Sequence, residues 1–312
     1  MNAPPPAIPF VKDFAFSYGE PARLTPLIRR VIANNPGPFT YTGTGTYIVG
    51  AQGAAGLAVI DPGPNDDAHF QALIAAIGAS RVSHIFITHT HRDHCGGAMR
   101  FATAVGAALI GAAPHPGRPE DIEGPSLEEG ADRAYRPDRI LADGDIIDGD
   151  SWTIETVATP GHLSNHLCFA LREEKALFTG DHIMGWATTV VAPPEGSMGD
   201  YFASLDKLLA RDDAVYYPTH GAPIDNAQRF VRAVKTHRRI RDGQILYQLR
   251  QGRTRIKEMV PAMYADIDKR LHVAAALNVL AHLIRLVETG AAETDGAPTM
   301  QSEFRLTAKP AV

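Results

Sequence analysis

A dense cluster of metal-binding residue types constrains this chain more than any other feature of its sequence. Four such side chains fall within six positions: His89, His91, Asp93 and His94. They follow a continuous apolar run at residues 82–88, which is typical of a strand buried on both faces. The end of a strand can direct alternate side chains toward one point, and Gly96 and Gly97 allow a tight turn afterwards. Because imidazole and carboxylate suit zinc, iron and similar ions, the sequence predicts a metal site here.

Three more candidate ligands lie in short motifs farther along the chain. His162 ends a Thr-Pro-Gly-His motif, Asp181 ends Thr-Gly-Asp, and His220 ends Tyr-Pro-Thr-His. Each motif lies at the end of a predicted strand, beside glycine or proline. Loops at strand ends are where layered α/β folds gather their sites. We therefore expect these three residues to join the first cluster.

Together these motifs resemble the metallo-beta-lactamase superfamily over about residues 35–222. The resemblance implies an α/β fold, a four-layer αβ/βα sandwich with a two-metal site at one edge. Carried over by position, the first metal takes His89, His91 and His162, and the second takes Asp93, His94 and His220. Asp181 then bridges both metals. The resemblance also gives Asp61, in Ile-Asp-Pro-Gly-Pro, and His166 supporting positions beside the ligands.

The implied cofactors are two divalent ions, zinc first, with iron or manganese as alternatives because the same ligands accept all three. Two cations about 3.5–4 Å apart share a water and lower its pKa toward about 7, so that it can attack a carbonyl or a phosphorus atom. Asp93 counts as a catalytic residue, since its change to alanine should abolish activity. No serine or cysteine nucleophile is needed, and we interpret Cys95 and Cys168 as packing residues.

The chain divides into four predicted regions. Residues 1–20 form a flexible lead-in, and residues 21–224 form the catalytic domain. Residues 225–290 are helical, and residues 291–312 form a mobile polar tail. The helical part resembles the beta-lactamase-like protein 2 group, which carries a small winged-helix-like C-terminal domain.

We expect a hydrolase that acts on an ester, a thioester or a related small acyl substrate. True beta-lactamases of this fold do not place an aspartate at the bridging position, so Asp181 argues against antibiotic hydrolysis. The alternative is an endoribonuclease that cleaves single-stranded RNA. Residues 229–257 contain ten basic residues and one acid, a net of +9, and Arg238 and Arg239 would contact an anionic substrate. A non-catalytic module that binds nucleic acid or protein is the third hypothesis.

Composition limits the class of protein and the compartment that we expect. The chain has 312 residues, a net charge of −5 and two cysteines, so it is neither a basic nucleic-acid binder as a whole nor a disulfide framework. The start is proline-rich and does not have the pattern of a signal peptide, and no apolar run reaches the length of a membrane span. We expect a cytoplasmic protein with no membrane partner, whose C-terminal helices could pair two copies as a homodimer.

Overall fold

Two β-sheets face each other and form the centre of the sandwich. The computed structural model describes residues 7–115, 130–265 and 271–308. The first sheet has seven strands in chain order: β1 (Ala22–Arg23), β2 (Ile28–Ile32), β3 (Gly45–Val49), β4 (Leu57–Ile60), β5 (Val82–Ile87), β6 (Ala108–Gly111) and β7 (Arg139–Ile140). The second sheet, ordered β12-β11-β10-β9-β8, has five: β8 (Ile146–Asp148), β9 (Thr153–Ala158), β10 (Leu167–Leu171), β11 (Ala176–Gly180) and β12 (Val215–Pro218).

Apolar side chains from both sheets fill the space between them. Tyr47 and Phe86 of the first sheet pack against Phe169 and Phe178 of the second, together with Trp152. Strands β3, β4, β10 and β11 are buried along their whole length. This burial explains why their sequences are continuous apolar runs rather than alternating ones. The shared core holds the two sheets against each other, and the edge of one sheet therefore has a fixed position relative to the edge of the other.

Helices cover the outer face of each sheet, so the fold has the predicted four layers. Against the first sheet lie α1 (Asp67–Ile77) and α3 (Ala98–Val105), which bury Leu73 and Phe101; the short α2 (Arg92–Cys95) lies between them in the chain. Against the second sheet lies α4 (Met198–Leu209), which Ser197 begins by accepting a hydrogen bond from the Asp200 amide.

The helix after the sandwich, α5 (Ala227–Arg250), belongs to two cores. Its first half packs Phe230 and Val234 against the second sheet and α4. Its second half packs with α6 (Ile256–Met263) and α7 (His272–Glu288). The predicted domain boundary at residue 224 therefore falls just before a helix that joins both parts.

Both predicted flexible ends differ from the expectation where the structure describes them. The tail forms a two-stranded antiparallel sheet, β13 (Ala292–Thr294) with β14 (Phe304–Leu306), in place of a mobile segment through residue 306. Ala292 and Phe304 are buried against α7, and this burial offsets the entropy lost on ordering. The lead-in also packs, because the Phe10 ring lies 5.7 Å from that of Phe230. Across the described ranges, no helix combines the length and apolar character needed to span a bilayer.

Changing Phe304 to alanine tests whether the chain after residue 290 is part of the C-terminal core. Because Phe304 is fully buried, Phe304→Ala should lower the free energy of unfolding of that core by about 3–5 kcal/mol. Chemical denaturation followed by circular dichroism measures the change. Gln301→Ala, an exposed position between the same strands, is the control and should shift stability by no more than about 0.5 kcal/mol. Equal stabilities of the two variants would contradict the buried placement.

Candidate metal centre

Strand direction brings the candidate ligands to one edge of the sandwich. β4 and β5 are parallel, so Asp61 and the segment from His89 follow the carboxyl ends of neighbouring strands. In the second sheet β9, β11 and β12 run in one direction, because β10 is antiparallel to both β9 and β11 and β12 is parallel to β11. His162, Asp181 and His220 follow these three strands. All seven predicted ligands thus come together.

Three imidazoles of the first cluster converge on one point. Nδ1 of His91 lies 3.0 Å from Nε2 of His89 and 3.1 Å from Nε2 of His162. Asp181 joins them, with Oδ2 3.7 Å from Nε2 of His162. The four ligand atoms lie within 4.8 Å of one another.

The second cluster contains Asp93, His94 and His220. Oδ2 of Asp93 lies 3.4 Å from Nε2 of His94 and 3.2 Å from Nε2 of His220. Oδ1 of Asp181 faces the same two nitrogens at 3.5 and 3.4 Å. The two oxygens of Asp181 therefore face different clusters, which is the arrangement of a bridging carboxylate.

Hydrogen bonds on the outer side of the rings fix which nitrogen of each ring faces the cluster. Nδ1 of His162 donates to the Val190 carbonyl at 2.7 Å, and Nδ1 of His220 donates to the Gly43 carbonyl at 3.1 Å. Nδ1 of His94 donates to the Asp61 carboxylate at 2.8 Å. A backbone carbonyl or an ionised carboxylate can only accept, so each of these Nδ1 atoms donates a proton, and Nε2 is the nitrogen directed toward the other candidate ligands.

The converging donor atoms fit divalent cations. Nε2 of His94 and Oδ1 of Asp181 are buried without a hydrogen-bond partner among the described residues. Buried polar atoms are almost always paired, and lone pairs that face one another require a cation or a proton between them. Imidazole nitrogen and carboxylate oxygen are ligands that zinc, iron and manganese accept. The two clusters are therefore consistent with a binuclear site.

The electrostatics of the metal-free chain favour metal binding. Burial, together with the neighbouring imidazole of His162, lowers the pKa of His91 to about 3, which keeps His91 in the neutral form that binds a metal. Burial alone would raise the pKa of Asp93, but the adjacent His94 and His220 hold it well below its usual range, so Asp93 is ionised. Burial alone would lower the pKa of His94, yet Asp93 and Asp181 raise it well above its ordinary value. A cation held by these carboxylates would take the place of that proton.

Asp61 is the anchor of the second cluster. Its Oδ1 accepts from the Thr88 amide at 2.8 Å, and its Oδ2 accepts from the Thr88 hydroxyl at 2.7 Å as well as from His94. Thr88 Oγ1 in turn lies 3.0 Å from Nδ1 of His89, so it accepts that ring's proton. Asp61 has a positive φ of 49°, a backbone conformation uncommon for any residue other than glycine. One carboxylate therefore orients ligands of both clusters.

His166 also touches the ligands, as the sequence-based prediction proposed. Its Nε2 accepts a hydrogen bond from the Asp181 amide at 3.1 Å, and its Nδ1 lies 2.9 Å from the Thr159 hydroxyl. Its ring stacks on His89 with centroids 5.1 Å apart. His166 thus holds the backbone of the bridging aspartate rather than a metal.

Sequence reasoning missed the supports that come from loops. The Thr44 hydroxyl lies 3.4 Å from Oδ2 of Asp93, and Asn35 holds Thr44 through both its amide nitrogen and its oxygen. The carbonyls of Gly43 and Val190 are supports that no side-chain pattern can reveal. The polar run around Thr44 was visible in the sequence, but its partner lies 49 positions away.

A cavity of about 460 Å³ opens onto both clusters. Its walls combine ligand residues with apolar side chains, and the apolar part consists of Phe39, Leu163, Met184, Val190, Ala192 and Pro193. Phe39 is 48% exposed, unusual for a phenylalanine. Tyr41 and Trp186 stack with centroids 4.7 Å apart and join the two loops that supply most of this wall. Trp186 itself is half-buried and is not among the residues that line the cavity.

The structure separates two residues that the sequence grouped. Arg239 is exposed on α5, whereas Arg238 is fully buried. The prediction that Arg238 contacts an anionic substrate at the surface is therefore wrong, because consecutive helical residues point about 100° apart and only one can face solvent here. Cys95 is buried with its sulfur 4.0 Å from Asp132, and Cys168 is buried in β10, as packing residues would be.

Changing Asp61 to asparagine tests its anchoring role. An amide has one acceptor oxygen where the carboxylate has two, so Asp61→Asn cannot accept all three hydrogen bonds, while asparagine tolerates the positive φ. We expect the affinity of the second cluster for zinc to fall by about 10-fold. Zinc titration against a chromophoric chelator measures it. Asp67→Asn, a surface change on α1, is the control; equal affinities in both variants would rule the role out.

Comparison with known proteins agrees with this geometry. The model of the metallo-beta-lactamase superfamily matches residues 42–220, and that of the beta-lactamase-associated winged-helix domain matches residues 256–299. A beta-lactamase-like protein 2 homolog of Caenorhabditis elegans is 32% identical, over 87% of this chain and 88% of its own length. An atrochrysone carboxyl ACP thioesterase of Aspergillus fumigatus is 32% identical, over 86% of this chain and 84% of its own length.

Solved structures share the fold. A metallo-beta-lactamase family protein of Thermus thermophilus superposes with a TM-score of 0.72 at 23% identity, over 91% of this chain and all of that chain. A beta-lactamase domain protein of Burkholderia ambifaria superposes with a TM-score of 0.75 at 18% identity, over 95% and 96%. The chain described here therefore belongs to the metallo-beta-lactamase superfamily, as a hydrolase of that fold with candidate His/Asp metal sites and an associated winged-helix domain.

Proposed function

We propose that this protein is a two-metal hydrolase that cleaves a thioester or ester of an apolar acyl group. The observation that carries the proposal is the cavity, which is lined both by apolar side chains, here called the apolar wall, and by residues of both ligand clusters. A small apolar acyl group fits against such a wall while its carbonyl faces the ligands. The named thioesterases among the relatives support the same reaction class.

Different residues of the chain would bind the metals, orient the water and hold the acyl group. The two clusters would hold two divalent ions, which we propose are zinc, and such ions would supply a water of lowered pKa and polarisation of the substrate carbonyl. Asp181 and the five imidazoles would hold the ions, and the ionised Asp93 lies on the cavity wall, where it can accept a hydrogen bond from the attacking water. The apolar wall excludes other water and holds the acyl group. Burial raises the pKa of the Cys95 thiol, so it stays protonated and does not act as a nucleophile.

The cavity gives less support to RNA cleavage. Arg92 is the one Lys or Arg side chain among the described residues that line it, whereas Glu195 adds a further carboxylate. A phosphodiester substrate needs basic groups along its path. The exposed arginines of α5, such as Arg239, lie on the face of the helix opposite its buried side. Single-stranded RNA is therefore included in the test as the competing substrate.

Metal removal and a ligand variant test the reaction. Purified protein loaded with zinc should hydrolyse aryl esters or acyl thioesters, and a chelator should stop turnover until zinc is returned. Asp181→Ala should lower kcat/KM by more than about 100-fold, since it removes a ligand shared by both clusters and not merely an outer partner. Circular dichroism checks that the fold persists. Turnover of RNA with no turnover of any ester or thioester would contradict the proposal.

Phe39 tests the apolar wall. Phe39→Ala removes the most exposed apolar side chain of the cavity, so KM for a bulky aromatic acyl thioester should rise by roughly 10-fold while KM for the acetyl thioester stays unchanged. Steady-state kinetics with matched substrates gives both values. Met99→Ala, an exposed apolar residue that does not line the cavity, is the control. An equal change for both acyl groups would show that the wall does not bind the acyl chain.

A further inference from the structure

Arg238 occupies an unusual position for a charged side chain. It lies on α5 with no part of the residue exposed to solvent. None of the ion pairs among the described residues includes it, and its Nε atom has no hydrogen-bond partner there. A buried guanidinium without a carboxylate partner is expensive in free energy, and an apolar side chain of similar volume would be more stable. Stability of the core alone does not account for an arginine at this position.

The contacts of Arg238 lead toward the metal ligands. Its Nη2 donates to the Thr189 carbonyl at 2.5 Å, and its Nη1 lies 3.5 Å from Oδ1 of Asn278 on α7. Its guanidinium carbon lies 5.1 Å from the centre of the Tyr201 ring on α4. One planar group thus ties three helices to the loop between β11 and α4, a loop that has no helix or strand of its own.

That loop holds His162. The Thr189 hydroxyl lies 3.2 Å from Nδ1 of His162, and the carbonyl of the next residue, Val190, accepts the proton of the same nitrogen at 2.7 Å. These contacts fix the ring so that Nε2 faces His91 and Asp181. The orientation of a first-cluster ligand therefore depends on where two adjacent residues of an irregular loop lie.

We propose that Arg238 is a positioning residue for the first metal: by anchoring Thr189 it keeps the Val190 carbonyl where it orients His162. This inference rests on the proposed two-metal function, but it concerns metal retention and holds for any substrate. It also gives the C-terminal helices a role in the catalytic domain, since α5 and α7 supply Arg238 and Asn278. Loss of the arginine should lower the metal affinity of the first site and leave the metal affinity of the second site unchanged.

Replacing Arg238 with methionine tests this role without any assay of turnover. Arg238→Met keeps an unbranched, flexible side chain in the buried space but donates no hydrogen bond. Zinc titration against a chromophoric chelator should show one of the two sites weakened by about 10-fold and the other unchanged. Cobalt substitution should show an altered visible spectrum for the weakened site. Arg239→Met, the exposed neighbour on the same helix, is the matched control and should behave as the original protein.

Arg238→Lys covers the case in which the methionine variant does not fold. Lysine keeps the charge and the stem but cannot reach Thr189 and Asn278 with one planar group. A folded lysine variant, judged by its melting temperature, should lose first-site affinity to a smaller extent than the methionine variant. Wild-type affinity at both sites in a folded methionine or lysine variant would overturn the proposal. If the wild-type protein binds two zinc ions but hydrolyses no ester or thioester, that result rejects the proposed function and does not affect the inference about Arg238.

Discussion

The carboxylate of Asp181 is the point on which the rest of the site depends. Its two oxygens face two separate groups of imidazoles at 3.4 to 3.7 Å, and one of them is buried without a partner in the described part of the chain. Such an arrangement is unfavourable unless protons or cations occupy the space between the ligands. The two facing sheets keep Asp181 close to these imidazoles because their shared core holds the ends of β5, β9, β11 and β12 at one edge.

Orientation of the rings depends on groups that are not themselves ligands. Outer nitrogens donate to a carboxylate at Asp61 and to backbone carbonyls at Gly43 and Val190, and each such bond directs the inner nitrogen toward the other candidate ligands. The anchors differ in the backbone that carries them. Asp61 follows a central strand, whereas the two carbonyls belong to loops that need further support, from Asn35 and Thr44 in one case and from Arg238 in the other.

The same loops shape the cavity. Phe39 and Val190 line it, and the stacked rings of Tyr41 and Trp186 join the segments that carry them. Under the proposed function, metal orientation and acyl-group selection would be coupled, because the supports of the candidate ligands and the apolar lining come from the same two irregular segments. The helices of the C-terminal part reach into this arrangement through α5, which packs against the second sheet with one half and against α6 and α7 with the other.

The sequence by itself determined the identity of the seven converging side chains, because ligand types cluster where predicted strands end, and the resemblance carried by those motifs implied the layered fold. It did not predict that the tail is folded. The two tail strands have three residues each and depend on burial of Phe304 against distant helices. Nor did it separate Arg238 from Arg239, since a run of basic residues does not show which side of a helix packs. Tertiary structure decided these points because burial and carbonyl contacts arise only between segments far apart in the chain.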